Sequence, residues 1–323
     1  PTTQPINPAK NTEKIQTENQ EQPFHPLYNY AVVTDSKDGL YLVNVNTMAD
    51  GEPRNNFLSR AVTWNAGGVL DGARHVTLGG HYAYITADAG LVVVDLNDPL
   101  NPVHRATVPM VDARQSDLQF RYLFVTTAKG LEVLDVTDQA GPKRIEGAHV
   151  PIKDAQGLYL ARTYAYVAAR GEGLMIIDIT QAEQPKLVSA NTFGGKLTDA
   201  YDVIVGTTNA SLFAYVADGT GGMKVIQLTS PSSQPNFYGF SPKPNPELIA
   251  WRQTKWPAHG LSKGLDRDRA VDESGHQMAV FGRLGSRPFT RAEMERLFKR
   301  EDGNIFTVSD EASLRDYIGQ TRP

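Results

Sequence analysis

Four aspartates stand just ahead of polar or basic clusters at similar spacing. Asp71 precedes Arg74 and His75, Asp112 precedes Arg114 and Gln115, Asp154 precedes Gln156, and Asp199 precedes Tyr201 and Asp202. An alanine lies between aspartate and cluster each time: Ala73, Ala113, Ala155 and Ala200. Carboxylate, guanidinium and imidazole groups suit acid–base work or the binding of a polar small molecule, provided the fold gathers the copies at one place. The opposing expectation is that such groups satisfy one another and ordered water. Arg74, His75, Arg114, Gln156, Tyr201 and Asp202 are the candidate binding residues, and no catalytic residue is assigned.

Other chemistry is sparse. The seven histidines (His25, His75, His81, His104, His149, His259 and His276) form no HxH, HExxH or other zinc spacing, so no metal is expected. Asp272, Ser274 and His276 follow one another closely, but adjacency in sequence is not a triad, which demands convergent geometry and an oxyanion hole. No GxSxG, P-loop or dinucleotide fingerprint follows a strand and opens a helix, and no cofactor is expected. The absence of cysteine removes thiolate nucleophiles, disulfides and CxxCH haem attachment from these residues. Lys and Arg are not clustered on one element and the net charge is only −4, so nucleic acid has no footprint. No apolar run approaches the roughly 18 residues of a membrane span.

The elements that must position the candidates follow from a repeat. A glycine precedes an apolar strand at Gly39, Gly90, Gly130, Gly173 and Gly222, with spacings of 51, 40, 43 and 49 residues. Five residues after each comes Asn44, Asp95, Asp135, Asp178 or Gln227. The intervening strands read LYLV, LVVV, LEVL, LMII and MKVI, and a second β run such as YAYITADA or YAYVAARGE stands before each glycine. The aspartate–alanine clusters supply an earlier strand, and segments often led by proline (PVHRATV, PKRIEGAHV, PKLVSANTF) supply a later one. Four short strands at a period just above 40 residues predict an all-β chain of propeller blades. Glycine supplies the positive φ of the hairpin between second and third strands. The acids are expected to accept backbone N–H groups in the turn beyond.

The phrases GLVVVDLNDPLNP, GLEVLDVTDQAGP and GLMIIDITQAEQP resemble the LVIVD repeat, a propeller-type repeat of bacterial and archaeal proteins. The resemblance covers roughly residues 28–230 and implies the fold but no common activity. LVIVD-like propellers also occur beside, or fused to, multihaem c-type cytochromes, so the resemblance implies a redox complex as one setting.

Residues 1–27, polar and rich in Gln, Asn, Thr and Pro, read as an extended arm or linker. The propeller is expected over 28–288, with repeats near 28–64, 73–109, 113–150, 154–193 and 199–254 and a closing segment at 255–288. Five repeats are recognisable, and whether the ring has five, six or seven blades stays open. The fifth outer strand is expected around Glu247–Arg252 and a closing strand at His276–Arg283. A C-terminal helical extension follows at 289–323, with one helix at Arg291–Lys299 behind a Thr290–Glu293 capping box and another near Asp310–Ile318.

The first functional expectation is a non-catalytic scaffold or docking subunit of an exported assembly, its partner a protein such as a c-type cytochrome or an upstream domain of the same precursor. Trp251, Trp256, Leu297 and Phe298 are its candidate interface. The alternatives are a hydrolase or oxidoreductase at the channel mouth, and a cell-surface ligand-binding or adhesion module. The start at Pro1 reads as the loss of a targeting segment or as one piece of a longer polypeptide. Either favours an extracellular or periplasmic protein.

Overall fold

The hairpin at the centre of each blade shows how the repeated residues act. Strand β5 (Tyr82–Ala87) pairs with β6 (Gly90–Asp95) from Tyr82↔Asp95 to Ala87↔Gly90, leaving Asp88 and Ala89 as the turn. Gly90 is thus the first residue of the third strand rather than part of the turn. Its φ is 115°, and a β-carbon there would lie 2.4 Å from the backbone of Val108 and Met110 on the next segment. Gly130 repeats this with φ 134° and a β-carbon 2.1 Å from the Val150 carbonyl. Glycine is required for conformation and for the close approach of the fourth strand.

The computed structural model describes residues 25–45, 58–208, 211–230 and 241–262, with the pieces 283–284 and 287–288 and the single positions Ala292 and Gly303. The arm before His25, residues 276–282 of the expected closing strand, the Asp272–His276 stretch, and the expected C-terminal helices fall outside the described residues apart from Ala292, which is helical.

The chain forms two compact units. The first holds a three-stranded antiparallel sheet of β1 (Tyr30–Asp35), β2 (Gly39–Asn44) and β3 (Ser59–Trp64), and a two-stranded piece of β20 (Arg283–Leu284) and β21 (Arg287–Pro288).

The second unit holds four four-stranded antiparallel sheets, each in sequence order. They are β4 (His75–Gly79), β5, β6 and β7 (Val103–Val108), then β8 (Ser116–Gln119), β9 (Tyr122–Thr127), β10 (Gly130–Asp135) and β11 (Lys143–Pro151). The third comprises β12 (Leu158–Ala161), β13 (Tyr164–Ala168), β14 (Leu174–Asp178) and β15 (Lys186–Asn191). The fourth comprises β16 (Asp202–Thr208), β17 (Ser211–Ala217), β18 (Met223–Thr229) and β19 (Glu247–Arg252), the last at the expected outer-strand position. First strands contact first strands in series, β4 to β8, β8 to β12 and β12 to β16. The fold is all-β and of propeller type.

Both faces of each inner blade are buried, which explains runs such as LVVV that lack polar alternation. In β9, Leu123 and Val125 pack with Tyr84, Leu91 and Val93 of the preceding blade. Phe124, between them, packs with Leu158, Val167 and Met175 of the next blade. Tyr166, Leu174 and Ile176 pack in turn on Val203, Val205 and Val216. Successive strand residues point to opposite faces, so one strand joins two inter-blade cores.

Asp135 accepts the N–H of Thr137 at 2.7 Å and Asp178 that of Thr180 at 2.8 Å, the expected turn role. Asp95 is gripped by Arg105 of the outer strand, with Nη2 at 2.7 Å and Nε at 3.1 Å. The arginine brings two charged donors to one carboxylate oxygen.

Candidate functional site

Within the second unit a cleft of 450 Å³ opens where the first strands begin. Its lining includes Arg74, Asp112, Arg114, Gln115, Gln156, Gly157, Tyr201, Asp202 and His259. The repeat brings these groups together because each aspartate–alanine cluster enters its blade at the same level.

The charges run as a ladder from blade to blade. Nη1 of Arg74 donates to Asp112 and, at 3.1 Å, to the carbonyl of Ala113. One blade on, Nη1 of Arg114 donates to Asp154 and, at 2.8 Å, to the carbonyl of Ala155. Arg114 also grips Asp112 of its own blade, with Nη2 at 2.7 Å and Nε at 3.0 Å from Oδ2. Asp112 is therefore shared by two guanidiniums. Burial works against its charge, but Arg114 and Arg74 together hold its carboxyl below the usual range.

The next rung changes chemistry. Gln156 donates to Asp154 at 2.9 Å and reaches no further acid among the described residues. Arg170, in the turn between β13 and β14, takes over by donating to Asp199. Its guanidinium also lies 3.9 Å from the centre of the Tyr201 ring. His259 covers Tyr201 as well, with ring centroids 4.2 Å apart. Asp202 accepts the N–H groups of Val203 and Leu261, each at 2.8 Å. Burial raises its pKa, against the pull of those two bonds.

Threonine hydroxyls tie the same level together from behind. Thr86 Oγ1 donates to the Arg114 carbonyl at 2.8 Å and Thr126 Oγ1 to the Gln156 carbonyl at 2.6 Å. At the equivalent place in the next blade stands Ala168, and the N–H of Gly157 donates to the Tyr201 carbonyl at 2.9 Å instead.

Of the sequence candidates, Arg74, Arg114, Gln156, Tyr201 and Asp202 line this cleft, whereas His75 is not among its lining residues. His75 accepts the Ser116 N–H on Nδ1 at 3.3 Å, and burial lowers its pKa to about 4. It acts as a neutral strut to the next blade. His81 lies 3.7 Å from Asp95. Arg170 and His259 escaped the sequence reading because they stand outside the repeated clusters. The visible signal for Arg170 was a hairpin turn longer than those of the two preceding blades. Lys224, at the second position of MKVI, pairs with the buried Asp218 beneath Asp199.

No set of three or more His, Asp or Glu side chains among the described residues is arranged to hold a metal ion. No helix among them is long and apolar enough to cross a membrane.

Two of the interface candidates lie elsewhere in the same unit. Trp251 is on β19 with 64% of its surface exposed, and Trp256 just beyond with 73%. Ile249, two residues before Trp251 on the strand, is also exposed. Leu297 and Phe298 fall outside the described residues.

The LVIVD repeat family model matches residues 72–108, 153–191 and 212–239, so the chain carries LVIVD repeats. A comparison with curated proteins finds no match. Among solved structures, the chain is similar to the extracellular domain of BT4673 from B. thetaiotaomicron, at 14% identity and a TM-score of 0.41. That match covers 64% of this chain and 27% of the other, so this chain spans well under two thirds of its length. BamB from Moraxella catarrhalis matches at 12% identity and a TM-score of 0.38, covering 60% of this chain and 56% of that one. A chain of the nidogen/laminin complex matches at 11% identity and a TM-score of 0.38, covering 64% and 78%.

Proposed function

We propose that this LVIVD-repeat propeller is a non-catalytic docking subunit that binds a partner protein through the outer face of its β19 blade. The observation that carries the reading is the exposure of two tryptophans, Trp251 and Trp256, on and just after one outer strand. Tryptophan is the costliest side chain to leave in water and among the most enriched in interface hot spots. The cleft supports the same reading from the other side. Arg74, Arg114, Asp112 and Asp154 are engaged in inter-blade ion pairs, so the groups that could do acid–base work there hold blades together. A bacterial or archaeal setting, and a c-type cytochrome as partner, are carried over from the repeat resemblance alone.

The test is the natural assembly on native gels, with the full chain as wild type or as Trp251→Ala/Trp256→Ala. Both side chains are exposed, so the double variant is expected to melt like wild type while losing its partner. An assembly unchanged by the substitutions overturns the reading.

A further inference from the structure

Residues 258–261, beyond β19, repeat the way the earlier blades begin. They read Ala-His-Gly-Leu, against Ala-Gln-Gly-Leu at 155–158, although Pro257 stands where the earlier clusters have their aspartate. Ala258 exchanges two backbone hydrogen bonds with Gly219, at 2.8 and 2.9 Å, as Ala200 does with Arg170 at 3.1 and 2.9 Å. Gly219 and Arg170 each lie in the turn between the second and third strands of the preceding blade. The next bonds keep the register. His75, two residues after Ala73, accepts the N–H of Ser116, three after Ala113. Asp202, two after Ala200, accepts the N–H of Leu261, three after Ala258. His259 is thus the counterpart of Arg74, Arg114, Gln156 and Tyr201, each one residue after its alanine.

These five side chains line the same 450 Å³ cleft, a volume within the range of about 300–1,000 Å³ usual for small-molecule sites. Its charges are already matched. Arg74 pairs with Asp112, and Arg114 with Asp112 and Asp154. An anion would have to displace those carboxylates, and a cation those guanidiniums, leaving a partly buried charge without its partner. A neutral ligand leaves the ladder intact. The ion pairs hold the planar groups in fixed directions, and the lining mixes acceptors, Asp112 and Asp202, with the donors of Arg74, Arg114 and Tyr201. A hydroxyl group both donates and accepts, so it can meet either kind.

We propose that the cleft binds a neutral polyhydroxylated small molecule, a mono- or disaccharide, with His259 as the fifth of the equivalent side chains that hold it. This goes beyond docking. Neither Trp251 nor Trp256 lines the cleft, so the two can fail separately.

The test is saturation-transfer NMR on the full chain with glucose, galactose, mannose, maltose, lactose and sucrose. Transfer to at least one sugar is expected, and transfer to none overturns the proposal. Affinity for that sugar is expected to weaken about fivefold or more in His259→Ala and in Gln156→Leu, each of which removes one hydrogen-bonding group. Thermal melts accompany both, and Gln156→Leu decides if His259→Ala melts early. Unchanged affinity overturns the proposal, and so does displacement of the sugar by citrate or spermidine. Trp251→Ala/Trp256→Ala is expected to keep the sugar. If that variant loses its natural partner while wild type shows no transfer, docking stands and the sugar site falls.

Discussion

The ammonium of Lys224 stands 3.3 Å from the carboxylate of Asp218, which is fully buried. Lys224 directs a hydrogen bond to the Gly221 carbonyl at 2.9 Å, while Asp218 accepts the N–H groups of Thr198 and Asp199 at 2.9 and 2.6 Å. The pair fixes the loop that carries Asp199, and Asp199 in turn holds Arg170 against Tyr201. Removing one partner strands a buried charge. Lys224→Ala is expected to cost about 3–5 kcal/mol in urea unfolding. Asp218→Asn/Lys224→Met is expected to recover most of this, because Asn keeps an acceptor for both amides. A double variant as unstable as the single one contradicts the account.

Arg114 bridges two blades and is only 18% exposed, whereas Arg74 is 41% exposed. Arg114→Ala leaves Asp112 and Asp154 without their shared donor and is expected to lower stability by about 2–3 kcal/mol. Arg74→Ala, more screened by solvent, is expected to cost under about 1 kcal/mol. Arg114→Lys should restore only part, since a point charge cannot span both carboxylates and the Ala155 carbonyl. Thermal melts of the three variants check the order.

Gly130 and Gly147 both have positive φ, at 134° and 79°, but differ in surroundings. A β-carbon at Gly147 meets nothing within 4 Å, whereas at Gly130 it meets backbone at 2.1 Å. Gly147→Ala is expected to cost about 1–2 kcal/mol of conformational strain. Gly130→Ala must also push the fourth strand away, and is expected to cost more than that or to prevent folding. Equal midpoints in denaturant would show that the close approach is unimportant.

His75 gives a pH dependence with a definite sign. Burial lowers its pKa from the ordinary 6.5 to about 4, so the fold favours the neutral ring. Its contribution is fully present above about pH 6.5 and is lost as pH falls towards 4, because the unfolded chain binds the proton first. His75→Gln removes the proton site while keeping a polar side chain. The stability of wild type relative to His75→Gln is therefore expected to fall by roughly 3 kcal/mol between pH 7 and pH 4. A gap that stays constant over that range contradicts a buried neutral imidazole.

Much of the architecture was legible because each blade must make the same bend. The repeated glycines marked the third strands, and the aspartate–alanine clusters marked the first. The clusters also placed Arg74, Arg114, Gln156, Tyr201 and Asp202 at one level, since equivalent positions in stacked blades adjoin. His75 follows Arg74 by one residue, and adjacent residues of extended chain point opposite ways, which turns it towards Ser116. Repeat logic could not supply Arg170 and His259, which come from a long hairpin turn and from the segment after β19. Nor could it supply Arg105, which grips Asp95 from a strand outside the shared phrase.

Hydrogen exchange of the full chain, alone and in its natural assembly, tests the docking surface most directly. The account predicts that amides of residues 247–256 gain protection in the assembly while those around Arg74, Arg114 and Gln156 do not change. Protection confined to the cleft, with residues 247–256 exchanging as in the free chain, would contradict it.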